Sequence, residues 1–156
     1  MAEYSANAVQ TVNPGESFVF TTVDVPCERG FVRFRPGTGA FLLSGWLPSR
    51  NTCGCSCNRR SANFLVDCGA NIAIPEGGTV EAISAALVLD GITIPASQMI
   101  VTPAAVDNYF NISRAITVPI WRNCCQTLTI RNTSAQPILV QNANIIFSRP
   151  DLAVSY

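Results

Sequence analysis

The strongest constraint on this chain is its rhythm: short β-branched and aromatic runs broken by Pro, Gly and Asn turns, with no helical period competing. Phe18-Val19-Phe20-Thr21-Thr22-Val23 stops at Pro26, and Phe31-Val32-Arg33-Phe34-Arg35 stops at Pro36-Gly37-Thr38-Gly39. Phe41 to Leu47 ends at Pro48; Asn63 to Cys68 and Ile72 to Ile74 lead to Pro75-Glu76-Gly77-Gly78. Ile83 to Leu89 meets Asp90-Gly91, a pair suited to the positive φ angles of a two-residue hairpin turn. Gln98 to Val101, Tyr109 to Val118, Leu128 to Arg131 and Ile138 to Arg149 complete the series. Strands this close, without helices between them, pair antiparallel. The prediction is an all-β protein, an antiparallel jelly-roll sandwich of about 8–10 strands in a single domain. Val106-Asp107-Asn108 is expected to form one helical turn at most. Residues 1–13 read as a short N-terminal arm or first strand, in which only Ala8-Val9-Gln10-Thr11-Val12 has strand character. Residues 14–156 read as the jelly-roll domain.

Such a sandwich must dress two outer sheet faces, and the chain has little charge for the purpose. Of its 156 residues 13% are charged, ten cations against ten acids, about half the ~25% usual in soluble domains. A neutral surface so thinly charged protects poorly against association. Copies of the chain are therefore expected to cover one another. All ten cations are Arg; Lys and His are absent. Without His there is no Ser-His-Asp or Cys-His pair and no His-ligated metal site. Without Lys there is no Schiff base and no P-loop lysine. A balanced charge gives no footprint for nucleic acid or an anionic membrane, and no run reaches the ~18 apolar residues of a membrane span. Met1 to Asn7 has neither a basic nor an apolar stretch, so no signal peptide is read there.

Seven cysteines are an odd number, so at least one is free, ligated or joined to another chain. Cys53-Gly54-Cys55-Ser56-Cys57 does not have the C-x-x-C spacing that lets two sulfurs converge on zinc. Disulfides, metal ligation by Cys53, Cys55, Cys57 and Cys68, and free thiols all remain open, with disulfides favoured and no cofactor expected. If Cys124-Cys125 is extended, its two side chains point to opposite faces and serve different tasks. Cys27, Cys53, Cys55, Cys57, Cys68, Cys124 and Cys125 are all candidates for cross-linking. Oxidised sulfur without a secretion signal fits a particle assembled inside a cell and exposed on lysis, as spore coats and virions are.

Other chemistry is sparse. The acids are scattered, with no pair on one strand face as a glycosidase strand would carry. Arg33 and Arg35, two apart, are expected to share a strand face, either a solvated one or one that pairs with carboxylates across a subunit interface. Asn111-Ile112-Ser113 and Asn132-Thr133-Ser134 match the N-x-S/T pattern but read as turn or edge residues. Trp46 and Trp121 read as core, with anchoring of a ligand or interface as the alternative.

The segments Met99-Ile100-Val101-Thr102-Pro103, Tyr109 to Ser113, Ile116 to Pro119, Cys124 to Ser134 and Ile138 to Ile145 carry a resemblance. They look like small β proteins of anaerobic Gram-positive bacteria and their phages. They are also similar in layout to the C1q/TNF-like jelly-roll domains that cap collagen-like spore-surface glycoproteins. The resemblance covers about 60 residues and is one of strand and turn pattern. It implies a homotrimer or related homo-oligomer with a structural or adhesive role. Seven cysteines and the lack of a Gly-X-Y repeat make the chain more similar to disulfide-linked spore-appendage subunits, which polymerise through an N-terminal extension.

The expected function is non-enzymatic. The chain reads as a self-assembling structural subunit, most naturally of a disulfide-reinforced extracellular or spore-surface filament or shell. In the filament form residues 1–13, with Ala8, Val9 and Val12 as the contacts, would add a strand to an open edge on the next copy, and loss of residues 2–12 would abolish the polymer while sparing the sheet. The alternatives are a trimeric decoration or fibre-head protein that binds carbohydrate or a host or spore surface, and a metal-binding or redox protein using the Cys loop.

Overall fold

Successive side chains of an extended chain point to opposite faces, so strands form where every second residue can be buried. The computed structural model describes residues 1–46, 61–122 and 125–150. In chain order its strands are β1 (Ala2–Ala6), β2 (Gln10–Val12), β3 (Thr22–Val25), β4 (Val32–Phe34), β5 (Phe41–Ser44) and β6 (Ser61–Ala73). They continue with β7 (Ile83–Leu89), β8 (Ile92–Thr93), β9 (Met99–Val101), β10 (Phe110–Trp121), β11 (Cys125–Asn132) and β12 (Ile138–Ser148). The one helical element among the described residues is a 3-10 turn, Pro95–Ser97.

The first sheet runs β10-β6-β12-β1-β3, with β2 also paired to β12; the second runs β4-β5-β11-β7-β8, with β9 also paired to β7. Strands consecutive in sequence therefore change sheets, β5 to β6 to β7 and again β10 to β11 to β12. That alternation, with every pairing antiparallel, makes a jelly roll. The core lies between the sheets. Tyr4 of the first sheet meets Phe34 and Phe41 of the second at ring-centroid distances of 4.8 and 5.0 Å, and Phe41 meets Phe147 at 5.1 Å. Packing rings from both layers into one cluster fixes the spacing of the sheets and adds roughly 0.5–1.5 kcal/mol per pair beyond the area buried.

Four elements differ from expectation. Ala2–Ala6 is a strand, held between β12 (Ala2 opposite Phe147) and β3. Its inward residues Ala2, Tyr4 and Ala6 are small or polar-tipped, so the alternation is real but its hydrophobic contrast is weak. Asn63–Cys68 and Ile72–Ile74 are not separate: β6 runs unbroken through Gly69-Ala70-Asn71. Gly69 belongs there because a Cβ would lie 3.2 Å from both the Asn144 side-chain oxygen and the Ile112 carbonyl. Phe18 to Thr21 is extended but outside the regular ladders, making bridges at Ser17 and Phe20 while burying Phe18 and Phe20. The strand instead begins at Thr22. Finally, β10 continues through Pro119, which is tolerable because β10 is an edge strand and a proline there breaks no ladder on its open side. The Asp90-Gly91 hairpin forms as read, with φ of 49° and 83°, and 106–108 adds no helix.

Candidate assembly surface

The residues of β6, β10, β12 and β1 that alternate with the core define the outer face of the first sheet. On β6 and β10, Asn63 stands opposite Pro119, Leu65 opposite Thr117, Asp67 opposite Ala115, Gly69 opposite Ser113 and Asn71 opposite Asn111. On the other flank Leu65 meets Ser148, Asp67 meets Ile146 and Gly69 meets Asn144. Ile146 and Asn144 in turn face Glu3 and Ser5 of β1. The side chains are small, amide, hydroxyl or aliphatic. Asp67 and Glu3 are the ionisable groups among these pairs, and no cation joins them. Arg114, on the same strand as Ser113, belongs to the other face by alternation, and its Nε donates to the Ala96 carbonyl at 2.8 Å.

The polar groups here are little engaged with one another. The Asn111 amide donates to the Asn71 side-chain oxygen at 3.1 Å. β12 carries a bulge at this level: the register shifts between Gln141 and Asn144, and Asn142 takes φ +52°. Asparagine tolerates that left-handed conformation better than most residues. The bulge leaves Asn142 exposed at the face while Ala143 returns to the core.

Apolar side chains extend the surface. Leu65 is 44% exposed, and Trp121, closing β10, is 60% exposed. Trp46, just beyond β5 of the second sheet and so apart from these strands, is 59% exposed. The core assignment of both tryptophans is thus overturned: each stands at a strand end where the inner layer is already filled by phenylalanines. Three cysteines are among the described residues. Cys68 is buried on the inner face of β6, its thiol donating to the Arg114 carbonyl at 3.6 Å. Burial, reinforced by the neighbouring Asp67 charge, pushes that thiol up to about 12. Cys27 is half-buried and Cys125, the first residue of β11, is exposed; all three are free thiols. Cys53, Cys55, Cys57 and Cys124 lie outside the described residues.

The proposed contact residues are scattered. Ala8 and Val9 are exposed, but Val12 is 2% exposed, part of the chain's own core, and paired with Ile138. Arg33 is exposed on β4 opposite Leu42, and Arg35 is exposed beyond the end of that strand. Neither lies on the first sheet. Among the described residues no three His, Cys, Asp or Glu side chains converge as metal ligands would. Asn132, one of the two N-x-S/T asparagines, is 1% exposed. Its amide donates to the Val12 and Gln136 carbonyls and its oxygen accepts from the Ser134 N–H, so it is a turn-builder as expected.

Two important residues were missed by the sequence reading. Arg149 is 6% exposed, its guanidinium 4.9 Å above the Phe64 ring and 5.9 Å from that of Phe31, and it donates to the Ser44 and Trp46 carbonyls. It ties the end of β12 to the end of β5. Arg131 lines a cavity on the second sheet. A run of alternating residues signals the strand, but nothing in it distinguishes these arginines from solvated ones.

No protein-family model matches the sequence, and no curated protein matches it. Among solved structures it is similar to Eiger TNF from S. frugiperda, with a TM-score of 0.63 at 11% identity, covering 99% of this chain and 93% of that one. It is also similar to the globular domain of the zebrafish complement 1qA protein, with a TM-score of 0.58 at 8% identity, covering 93% of this chain and 94% of that one. At these identities the likeness is one of fold: the C1q/TNF jelly roll over nearly the whole chain.

Proposed function

We propose that this chain is a non-enzymatic structural subunit that packs against copies of itself through the outer face of the first sheet. The supporting observation is that face itself: β6, β10, β12 and β1 side by side, where the paired residues carry Asp67 and Glu3 and, among the described residues, no cation. From strand spacing and rise its footprint is on the order of 600 Å², close to the roughly 800 Å² each partner gives to a standard interface. Depletion of charge at the centre of a patch is what separates an interface core from ordinary surface. The fold supports the reading, since C1q/TNF-like jelly rolls are expected to form homo-oligomers.

The fuller proposal is a disulfide-reinforced filament or shell in an oxidising, extracellular or spore-surface setting. Cys125 serves such cross-links best, being exposed and free, with the Cys53-Gly54-Cys55-Ser56-Cys57 segment as its natural counterpart. The arm is not offered as the donor, because residues 2–6 and 10–12 already pair within their own chain.

Sedimentation velocity tests the surface. The wild-type chain is expected to sediment as a multiple of 16.7 kDa. Leu65→Glu and Ile146→Glu, which put charge on the two central strands of the face, β6 and β12, should return it to the monomer with unchanged β-sheet circular dichroism. A monomeric wild type, or an oligomer indifferent to both substitutions, would sink the proposal.

A further inference from the structure

The outer face of the second sheet carries an arginine whose buried Nε finds no partner among the described residues. Arg131 on β11 stands opposite Ala86 on β7 and bridges Ser17 on its other side, so small side chains flank it in both directions. Its Nε is buried without a hydrogen-bond partner. The acids nearest along these connections are committed to turns. Asp90 accepts from the Thr127 N–H at 2.8 Å and the Gln126 amide at 3.0 Å, and Glu16 accepts from the backbone and side chain of Asn13. A second observation lies two residues away on the same face: Thr129 is 7% exposed and its hydroxyl is buried without a partner.

Beside Arg131 is a cavity of about 340 Å³, walled by Val88, Thr93, Thr133 and the glycines Gly15 and Gly91, with no acid among the described residues of its lining. Val88 is the ladder neighbour of both Thr93 and Thr129, which places the two hydroxyls in the row next to the guanidinium. The Thr133 hydroxyl is shared with Ser84 at 2.7 Å, so it is wall rather than donor. The cavity is therefore sized for a small molecule and polarised by one positive charge.

We propose that it binds a small carboxylate, the Arg131 guanidinium pairing with the anion and the Thr93 hydroxyl taking a neighbouring polar atom. A planar carboxylate matches the fork of an arginine in shape and balances it one charge to one, whereas a phosphate near neutral pH would keep charge unneutralised. The volume is at the low end of the ~300–1,000 Å³ of ligand sites, enough for a sugar acid or a single N-acylated amino acid. The site is on the sheet opposite the assembly surface, so the two proposals stand or fall separately.

Equilibrium dialysis of the full chain against glucuronate, N-acetylalanine and glucose tests it, whatever the oligomeric state. Saturable uptake of at least one of the acids is expected, at one per chain, with none of glucose; which acid binds tells sugar from peptide. Arg131→Gln should weaken uptake by about tenfold or more and Thr93→Val by about threefold. Should Arg131→Gln lose its sheet circular dichroism, Arg131→Lys keeps the charge without the fork and should still bind several-fold more weakly. No saturable uptake of either acid, or uptake unchanged by the Arg131 and Thr93 substitutions, would overturn the site.

Discussion

Burial sets the chemistry of individual side chains more than their identity does. Cys68 rises from 9.0 to about 12 chiefly because the thiolate would lose its hydration inside the sandwich, with the Asp67 charge adding to the effect. Tyr4 rises from 10.0 to about 12, again by burial first and then by the neighbouring Cys27. The unfolded chain releases these protons at their ordinary values, while the folded chain holds them until about pH 12. Stability is thus fully present below about pH 9 and is lost as pH climbs toward 12, because the unfolded state sheds protons first. The urea midpoint should fall across that window, and Cys68→Ala should remove the part of the fall that begins near pH 9.0. In native protein near neutral pH, iodoacetamide should label Cys125 and leave Cys68 untouched, since only thiolate reacts; peptide mapping reads the difference. Arg149 makes the opposite case, a charge kept inside by two carbonyls and two rings. Arg149→Met, which keeps the bulk and removes the charge, is expected to cost about 2–4 kcal/mol in denaturant unfolding. Neither Cys68 nor Arg149 announced its environment in sequence. Parity along β6 and β12 depends on where each strand starts, and that is settled by partners far away in the chain.

At the scale of elements, what was legible is what turn chemistry dictates locally. Asp90-Gly91 selected its hairpin, Pro36-Gly37 and Pro75 ended their strands, and β7 announced itself by a run that is apolar but for Ser84 and buried almost end to end. What was not legible depends on tertiary pairing. Gly69 reads as a breaker until Asn144 and the Ile112 carbonyl are seen to need its missing side chain. β1 reads as polar until its alternate residues are seen to close the aromatic cluster. That last point changes what truncation should do. Tyr4 contacts Phe34, Phe41 and Phe147, so it joins the two sheets. Deleting residues 2–12 strips β12 of β1 and β2 and opens that cluster, and it should abolish cooperative unfolding rather than spare the sheet. Tyr4→Ala alone is expected to cost about 3–5 kcal/mol, the range for large aromatic truncations in a core. Thermal melts followed by circular dichroism distinguish these outcomes. A truncated chain that keeps a sharp transition would return the segment to the status of a detachable arm.

For the molecule as a whole, the thin charge read from composition becomes a statement about location. Among the described residues the paired strands of the first sheet's outer face hold Asp67 and Glu3 and no cation, while Arg33 and Arg131 stand on the second sheet. A contact made by two copies of the first face therefore has no opposite charges to bring together. Its free energy has to come from burying Leu65, Ile146 and Ala115 and from amide and hydroxyl pairing, terms that salt screens little. If Arg33 and Arg35 instead met acids across the interface, as their spacing first suggested, association would weaken as ionic strength rises, because exposed pairs are screened beyond roughly 10 Å at 0.1 M and 3 Å at 1 M. The two arrangements give opposite trends in one measurement. Sedimentation across about 0.05 to 1 M sodium chloride should leave the oligomer unchanged or slightly tighter if the first sheet is the interface. Dissociation along that series would move the contact to the arginine-bearing sheet, and Arg33→Ala should then reproduce at low salt what high salt does to the unaltered chain.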